Sequence, residues 1–512
     1  VAVNEQAVPT PLGSDEETLH QLGYAQELRR RMSGFSNFAV SFTIISVLSG
    51  CLTLYSFGML TGGPVVITWG WPIVGIMTLF VGLAMAEVCS SFPTAGGLYY
   101  WSAKLARRNG AAWSWFTGWF NFLGQVAVTA GIDFGCALFI NAFLALQFGV
   151  SESHWVTILI FAVVLLVHGL VNQFGIRLVA LLNDVSVWWH IFGVLIIVGA
   201  LTFGLQHGAH HQSASFVFSH FNNGTGLNVG HWYILLIGLL LAQYTFTGYD
   251  ASAHMTEETR SAARSGPRGI VMSIIVSLIA GWVLLIGVTF AIQNYATEST
   301  AYVAPAQIFV DAIGKTGGEL LLLIAIGAQL FCGMSSITAN SRMIYAFSRD
   351  GALPGSALWH RVNKRTRTPT NAIWLAAAGA LILGLPYLWN SAAYFAVTSI
   401  ATIGLYIAYV TPTFLRLRLG ASFQRGPWHL GRWSYVVGII AVVWVVFITI
   451  LFLLPQAGPI GFKTFNYAIV AVGVVLGFAT IYWLVSAKNW FTGPRVQGTP
   501  EELAAIEQEL AS

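Results

Sequence analysis

A chain of 512 residues that is 56% hydrophobic and only 9% charged cannot cover a soluble surface, which takes about 25% charged residues. Its net charge of +4 is spread over short basic segments between apolar runs, so no nucleic-acid partner is expected. The four cysteines, Cys51, Cys89, Cys136 and Cys332, all fall inside apolar runs and read as small buried hydrophobes, not as a disulfide framework or a metal site.

Residues 1–28 are polar and rather acidic, without the order of a signal peptide, and 1–35 are expected to form a cytoplasmic tail. Twelve apolar runs follow, at 36–61, 65–91, 111–146, 154–172, 178–203, 231–258, 269–293, 318–347, 371–389, 391–415, 432–454 and 465–486. A helix needs about 20 such residues to cross a bilayer, and the bilayer admits only backbone whose hydrogen bonds are satisfied internally. The short alternating segments of a strand-built barrel are missing. The expected fold class is therefore an all-α polytopic membrane protein with twelve transmembrane helices. Of the 24 Lys and Arg, all but Lys315 and Lys463 fall in alternate gaps or at the run ends that border them. By the positive-inside rule those gaps, both termini and the C-terminal tail at 487–512 are cytoplasmic.

Two runs are interrupted. The first carries Ser46-Val47-Leu48-Ser49-Gly50-Cys51-Leu52-Thr53 and the sixth Tyr244-Thr245-Phe246-Thr247-Gly248-Tyr249-Asp250-Ala251-Ser252. Each sets a glycine among hydroxyl side chains near mid-membrane, at the first helix of a five-helix block. Five is odd, so the second block (231–415) would insert upside down relative to the first (36–203), with helices 11 and 12 (432–486) outside the repeat. Matched interruptions in inverted halves point to a secondary transporter's binding site; small residues in close-packed helices are the competing explanation. Asp250 is an acid inside an apolar run, where an unpaired charge costs a few kcal/mol or more. It either meets a substrate amine or an ion, or caps the second half-helix.

Three segments, in order, resemble the amino acid–polyamine–organocation transporter superfamily. They are Glu87–Tyr99 (E-V-C-S-S-F-P-T-A-G-G-L-Y), Thr256–Thr259 with Pro267-Arg268-Gly269-Ile270, and Ser341–Pro354 (S-R-M-I-Y-A-F-S-R-D-G-A-L-P). Gly34–Ala39 and Gly248–Thr259 add a similarity to its amino acid/choline branch, which includes GABA and amino acid permeases. The resemblance spans about residues 23 to 490. It implies a LeuT-type fold of two inverted five-helix repeats, alternating access, and an amino acid or amine as substrate.

Carried over residue by residue, it places a substrate carboxylate on the Ser49-Gly50-Cys51 amides and an amine near the Phe246 and Thr247 carbonyls, beside Gly248, Tyr249 and Asp250. Ser46 and Thr53 would add hydroxyl contacts. The end charges of interrupted helices suit a zwitterion in this orientation. Asn121 and Gln125 on helix 3, and Ser335 and Ser336 on helix 8, are placed to line a pocket or to join helices. His190 falls where proton-driven members carry a lysine, and is the proton-coupling candidate; the alternative is a neutral imidazole bonded to a nearby carbonyl. Asp184, six residues earlier, needs a partner on another helix. Asp133 is expected near the outer interface. Glu87, Glu257, Glu258 and Arg342 lie near cytoplasmic ends, as gate candidates or as solvated charges. His207, His210, His211 and His220 read as a solvated outer loop.

The function expected is a secondary permease of amino acids or GABA in the plasma membrane (the inner membrane of a Gram-negative cell), proton-coupled or exchanging. The alternative is a carrier of choline, ethanolamine or a polyamine, with a cage of Tyr55, Trp69, Tyr244, Phe246 and Tyr249 around the cation. No phosphate-binding loop or catalytic triad appears, so an enzyme is not expected. No cofactor or metal is expected; the partners are the substrate, protons and the lipid bilayer.

Overall fold

The computed structural model describes residues 14–174, 176–496 and 498–511. Positions 1–13 of the expected N-terminal tail, 497 and 512 of the C-terminal tail, and 175 lie outside the described residues. Among the described residues, eleven helices are long and apolar enough to cross a membrane, and the sixth apolar run is broken into shorter pieces.

The first run forms α1a (Gly34–Ile45) and α1b (Val47–Thr53), the latter prolonged by Tyr55–Leu60. The Ser33 hydroxyl starts α1a by accepting from Ser36 N–H at 3.0 Å, which satisfies one of the free first-turn donors. Five helices follow: α2 (Pro64–Ser91), α3 (Gly110–Phe148), α4 (His154–Phe174) and α5 (Ile176–Phe203), then α6a (His231–Thr245). A four-residue helix, α6b (Ala251–His254), completes the sixth run. Next come α7 (Ala262–Phe290), α8 (Ala304–Arg349), α9 (Thr370–Gly384), α10 (Ala393–Leu419), α11 (Ser434–Leu453) and α12 (Ala468–Val485). The order is a broken helix and four continuous ones, the same again, then a pair. The eighth run is longer than expected because helix continues back through a kink at Gly314, whose φ is 81°.

Burial ranks the helices. The apolar windows of α1, α3 and α10 are 89%, 83% and 78% buried, against 17% for α12. The core therefore lies around α1, α3, α6, α8 and α10. The perimeter helices turn Leu159, Leu166, Leu195, Val443 and Ile481 outward, as a lipid-facing surface would. Short elements close the two ends. Both described termini lie at one end, hereafter the terminal end: Gln26 N–H donates to Glu507 at 2.6 Å, and Met32 pairs in a parallel bridge with Thr259. At the far end Thr61–Gly62 pairs antiparallel with Asn222–Asn223, a two-residue ribbon outside the all-α expectation.

Candidate functional site

In the first run the helix breaks at Ser46, which takes φ 38° and ψ 82°. This corrects the expected position of the break. Gly50 is helical, and its N–H and that of Ser49 both donate to the Ser46 carbonyl, at 2.9 and 2.8 Å. The open first-turn amides of α1b are therefore those of Val47 and Leu48, not the Ser49-Gly50-Cys51 set, because a helix leaves its first N–H groups unpaired. Gly50 has a different use: a Cβ there would sit 2.6 Å from Thr245 Oγ1 and Cγ2. Its missing side chain lets α1b touch α6a beside the second break.

That second break runs over 246–250. Gly248 has φ 88°, and a Cβ would lie 2.1 Å from Ile44 Cγ2. Both the backbone conformation and the close approach to α1a require glycine. The Phe246 carbonyl accepts from Tyr406 O–H, and Gly248 N–H donates to Tyr409 Oη at 3.2 Å. Phe246 also stacks on Trp71 at 4.4 Å.

Asp250 is fully buried and held from three helices. Tyr409 O–H donates to Oδ1 at 2.6 Å, Gln125 Nε2 donates to Oδ2 at 2.7 Å, and His254 Nε2 lies 3.2 Å from Oδ2. His254 Nδ1 donates to the Ala95 carbonyl at 2.9 Å, and Asn121 Nδ2 lies 3.5 Å from Nε2. Tyr409 and His254 were not among the expected site residues. The i, i+4 spacing of Asp250 and His254 on one helical face was the available signal; Tyr409 on α10 left none.

A second acid–imidazole pair lies between α3 and α4. His168 Nδ1 donates to Asp133 Oδ1 at 3.1 Å, while Asp133 Oδ2 is buried with no hydrogen-bond partner. Asp133 is 0% exposed, which corrects the expectation of a hydrated acid at the outer interface. Helix α3 has 39 residues, about 58 Å at 1.5 Å per residue, longer than a bilayer core is thick. Residue 133 lies near the helix's midpoint, two residues from the Gly131 that Tyr244 abuts. Gly333 on α8 makes room for the carboxylate, since a Cβ there would fall 1.7 Å from Oδ1. The Tyr244 hydroxyl abuts α3 at Gly131, and it and the Tyr394 hydroxyl are likewise buried and unpartnered.

The remaining expected residues fall elsewhere. His190 reaches the first break: its Nδ1 donates to the Ser186 carbonyl at 2.8 Å and its Nε2 accepts from Ser46 O–H at 2.7 Å. Ser335 turns toward α5 and donates to Asn183 Oδ1, whereas Ser336 meets Thr129 of α3 at 2.8 Å. Asp184 finds its partner on α1a, the Ser36 hydroxyl at 3.1 Å. Cys51 is buried and unpaired. The five aromatics of the alternative cage do not converge: Trp69 is 47% exposed, and Tyr55 Oη bonds Thr289 on α7 at 2.7 Å.

At the terminal end the gate candidates separate into three buried ion pairs. Arg342 Nε lies 2.8 Å from Glu258 and Arg349 Nη2 lies 3.2 Å from Glu257. Glu87 is apart from these, bound to Arg416 at 3.2 Å and to Ser434, where it joins α2 to α10 and α11. A cavity of about 340 Å³ opens at this end, lined by Arg29, Arg31, Arg177, Asn183, Asp184 and Glu258.

Two broken helices thus touch at the centre of a twelve-run bundle, with the buried Asp250 at the second break. The amino acid permease family model matches residues 33–476. The chain belongs to this family. It is 45% identical to the amino-acid permease BAT1 of Arabidopsis thaliana, over 96% of this chain and 98% of that one. It is 46% identical to the rice homolog of that permease, over 93% and 94%. It is also similar to the GABA-specific permease of Saccharomyces cerevisiae, at 34% identity over 94% and 86%. This permease is accordingly a multi-pass membrane transporter of the amino acid–polyamine–organocation superfamily, and not an enzyme.

Proposed function

We propose that this permease carries amino acids, γ-aminobutyrate among them, across the plasma membrane by alternating access, driven by a proton gradient, with both termini in the cytoplasm. The observation that carries the reading is the pairing of opposite polarities around the breaks. The open amides of Val47 and Leu48 offer the positive end of α1b to a carboxylate. Asp133 Oδ2, with the unpartnered Tyr244 and Tyr394 hydroxyls, offers a buried acceptor set to an ammonium group. A zwitterion satisfies both ends, and each buried group gains the partner it otherwise lacks. Choline would leave the amides of α1b without a counterpart, and the dispersed aromatics supply no cage for it. The name of the yeast relative supports γ-aminobutyrate as one substrate. The basic gaps on one side support the orientation, and the ion pairs Arg342–Glu258 and Arg349–Glu257 are placed to close the inner side.

The test is uptake of labelled γ-aminobutyrate into proteoliposomes, with unlabelled alanine, glutamate, choline and putrescine as competitors. Uptake blocked by amino acids and not by choline is the expected result. Transport of choline or putrescine without any amino acid uptake would overturn the reading.

A further inference from the structure

The two nitrogens of His254 are committed in a way that counts hydrogens. Nδ1 faces the Ala95 carbonyl at 2.9 Å, and a carbonyl only accepts, so Nδ1 carries a hydrogen. Nε2 faces Asp250 Oδ2 at 3.2 Å, with the Asn121 amide farther off at 3.5 Å, the outer limit of a hydrogen bond. In a neutral imidazole with its hydrogen on Nδ1, Nε2 presents a lone pair, and an ionised carboxylate presents another; the two repel. One added proton, on Nε2 or on Oδ2, turns the contact into a hydrogen bond. His190 is the opposite case. With one nitrogen donating to the Ser186 carbonyl and the other accepting from Ser46 O–H, it is complete as a neutral ring.

We propose that Asp250 and His254 together are the proton-binding site of this permease, holding between them the one proton that crosses with the substrate. The proposal rests on the transport reading above and replaces His190 in the coupling role. The surroundings do not already supply the charge. From α10, Tyr409 donates to Oδ1, with Tyr406 and Tyr249 at 5.3 and 4.8 Å from its ring. Helix α3 brings the amides Gln125 and Asn121. Helix α1a meets this turn through Ser41 and Asn37, and α7 through Gly266 and Gly269, with the Cys89 thiol of α2 alongside Gly266. On α8 and at its end, Arg342 and Arg349 are engaged by Glu258 and Glu257. No lysine or arginine pairs with Asp250 among the described residues.

The position also explains how a proton would be felt by the gate. Ala95 accepts from His254 through its carbonyl, and its own N–H donates to Glu257 Oε1 at 2.9 Å. Glu257 is the carboxylate that holds Arg349. A change in the bond at His254 therefore pulls on one residue whose other end is tied to a terminal-end ion pair. Asp250 meanwhile sits at the end of the break that touches α1, its side chain making no cap bond to α6b. One pair of side chains therefore lies at the break and is linked through Ala95 to the closure.

The decisive comparison uses the full-length protein in proteoliposomes, with labelled γ-aminobutyrate and alanine as substrates and an internal pH dye. Net uptake under an inward proton gradient is set beside counterflow, which exchanges substrate without net proton movement. In the wild type, net uptake is stimulated by the gradient and acidifies the lumen. In His254→Gln, gradient stimulation and the dye signal fall by about tenfold or more, while counterflow persists. Asp250→Asn is measured in the same way, so a variant that fails to reconstitute does not end the test. Stimulation that survives in both variants overturns the proposal, as does its loss in His190→Gln with retention in His254→Gln. Wild-type uptake without any proton signal overturns it too, yet leaves amino acid transport standing. Absence of both uptake and counterflow in the wild type would instead sink the transport reading and the proton site with it.

Discussion

Asp133 and Asp250 are both buried acids in a membrane bundle, yet their environments differ in what they leave open. Every oxygen of Asp250 has a donor from the protein, whereas Oδ2 of Asp133 has none. A buried acceptor without a partner costs about 1–3 kcal/mol, a cost that a ligand's ammonium group would offset. Gly333→Ala tests this residue by its neighbour, since the added methyl would fall 1.7 Å from Asp133 Oδ1. The carboxylate must swing off His168, and substrate affinity is expected to fall about tenfold or more while the fold survives, an overpacking effect of about 1–3 kcal/mol. Competition binding in detergent against thermal unfolding separates the two. Glu258→Ala removes the counter-charge of the fully buried Arg342. It is expected to cost about 3 kcal/mol, seen as a lower unfolding temperature. An unchanged unfolding temperature would mean that the pair contributes nothing to closure. Asp250 stood out in the sequence as an acid in an apolar run, and the His254 spacing was visible beside it. The link to Gln125, 125 positions away, was not, because residues on separate helices meet only through packing.

The two breaks carry the element-scale argument. Hydroxyl-rich glycine segments in the first and sixth runs were visible in the sequence, and both runs do break. The register of the first break was not visible. A left-handed residue would be assigned to Gly50 by propensity, but Ser46 takes that conformation, and the glycine serves the α1b–α6a contact instead. The two roles predict different damage. Gly248→Ala meets both a positive φ and a contact at 2.1 Å, and is expected to lose stability by about 1–3 kcal/mol together with transport. Gly50→Ala has a compatible helical backbone, and its closest clash is with Thr245 at 2.6 Å. Loss of transport with near-normal stability is expected there, and recovery in the double variant Gly50→Ala/Thr245→Ala would confirm that the contact is at fault. Failure of Thr245→Ala to restore any uptake would argue against it.

At the scale of the whole molecule, the two ends are closed by different chemistry. The terminal end is held by ion pairs, and by Arg349 stacked on Tyr24 at 3.8 Å. The far end is held by backbone pairing and by the turn Tyr295–Glu298, where Tyr295 O–H donates to the Met59 carbonyl at the end of the first run. Glu298 accepts from Gln293 N–H at 3.1 Å, and burial pushes its carboxyl up from the ordinary value to about 7. A carboxyl raised on folding favours the protonated state. The turn is therefore most stable below about pH 4.5 and loses that stability as pH rises toward 7. Protection factors over 291–303, corrected for the base-catalysed intrinsic exchange, should be higher at pH 5 than at pH 8, with the difference abolished in Glu298→Gln. Equal protection at both pH values in the wild type would remove Glu298 from the closure of this end.

The sequence by itself determined that the chain is a multi-pass helical bundle, which runs break, and which family it joins. Those properties follow from local composition, since each helix must satisfy its own backbone in lipid and each motif is contiguous. Only the tertiary structure decided which amides α1b leaves open, where Asp133 lies along a helix longer than the bilayer is thick, and which partners hold Asp250. These depend on where one helix sits against another, and a buried polar group in a membrane bundle takes its partner from whichever helix packing brings alongside.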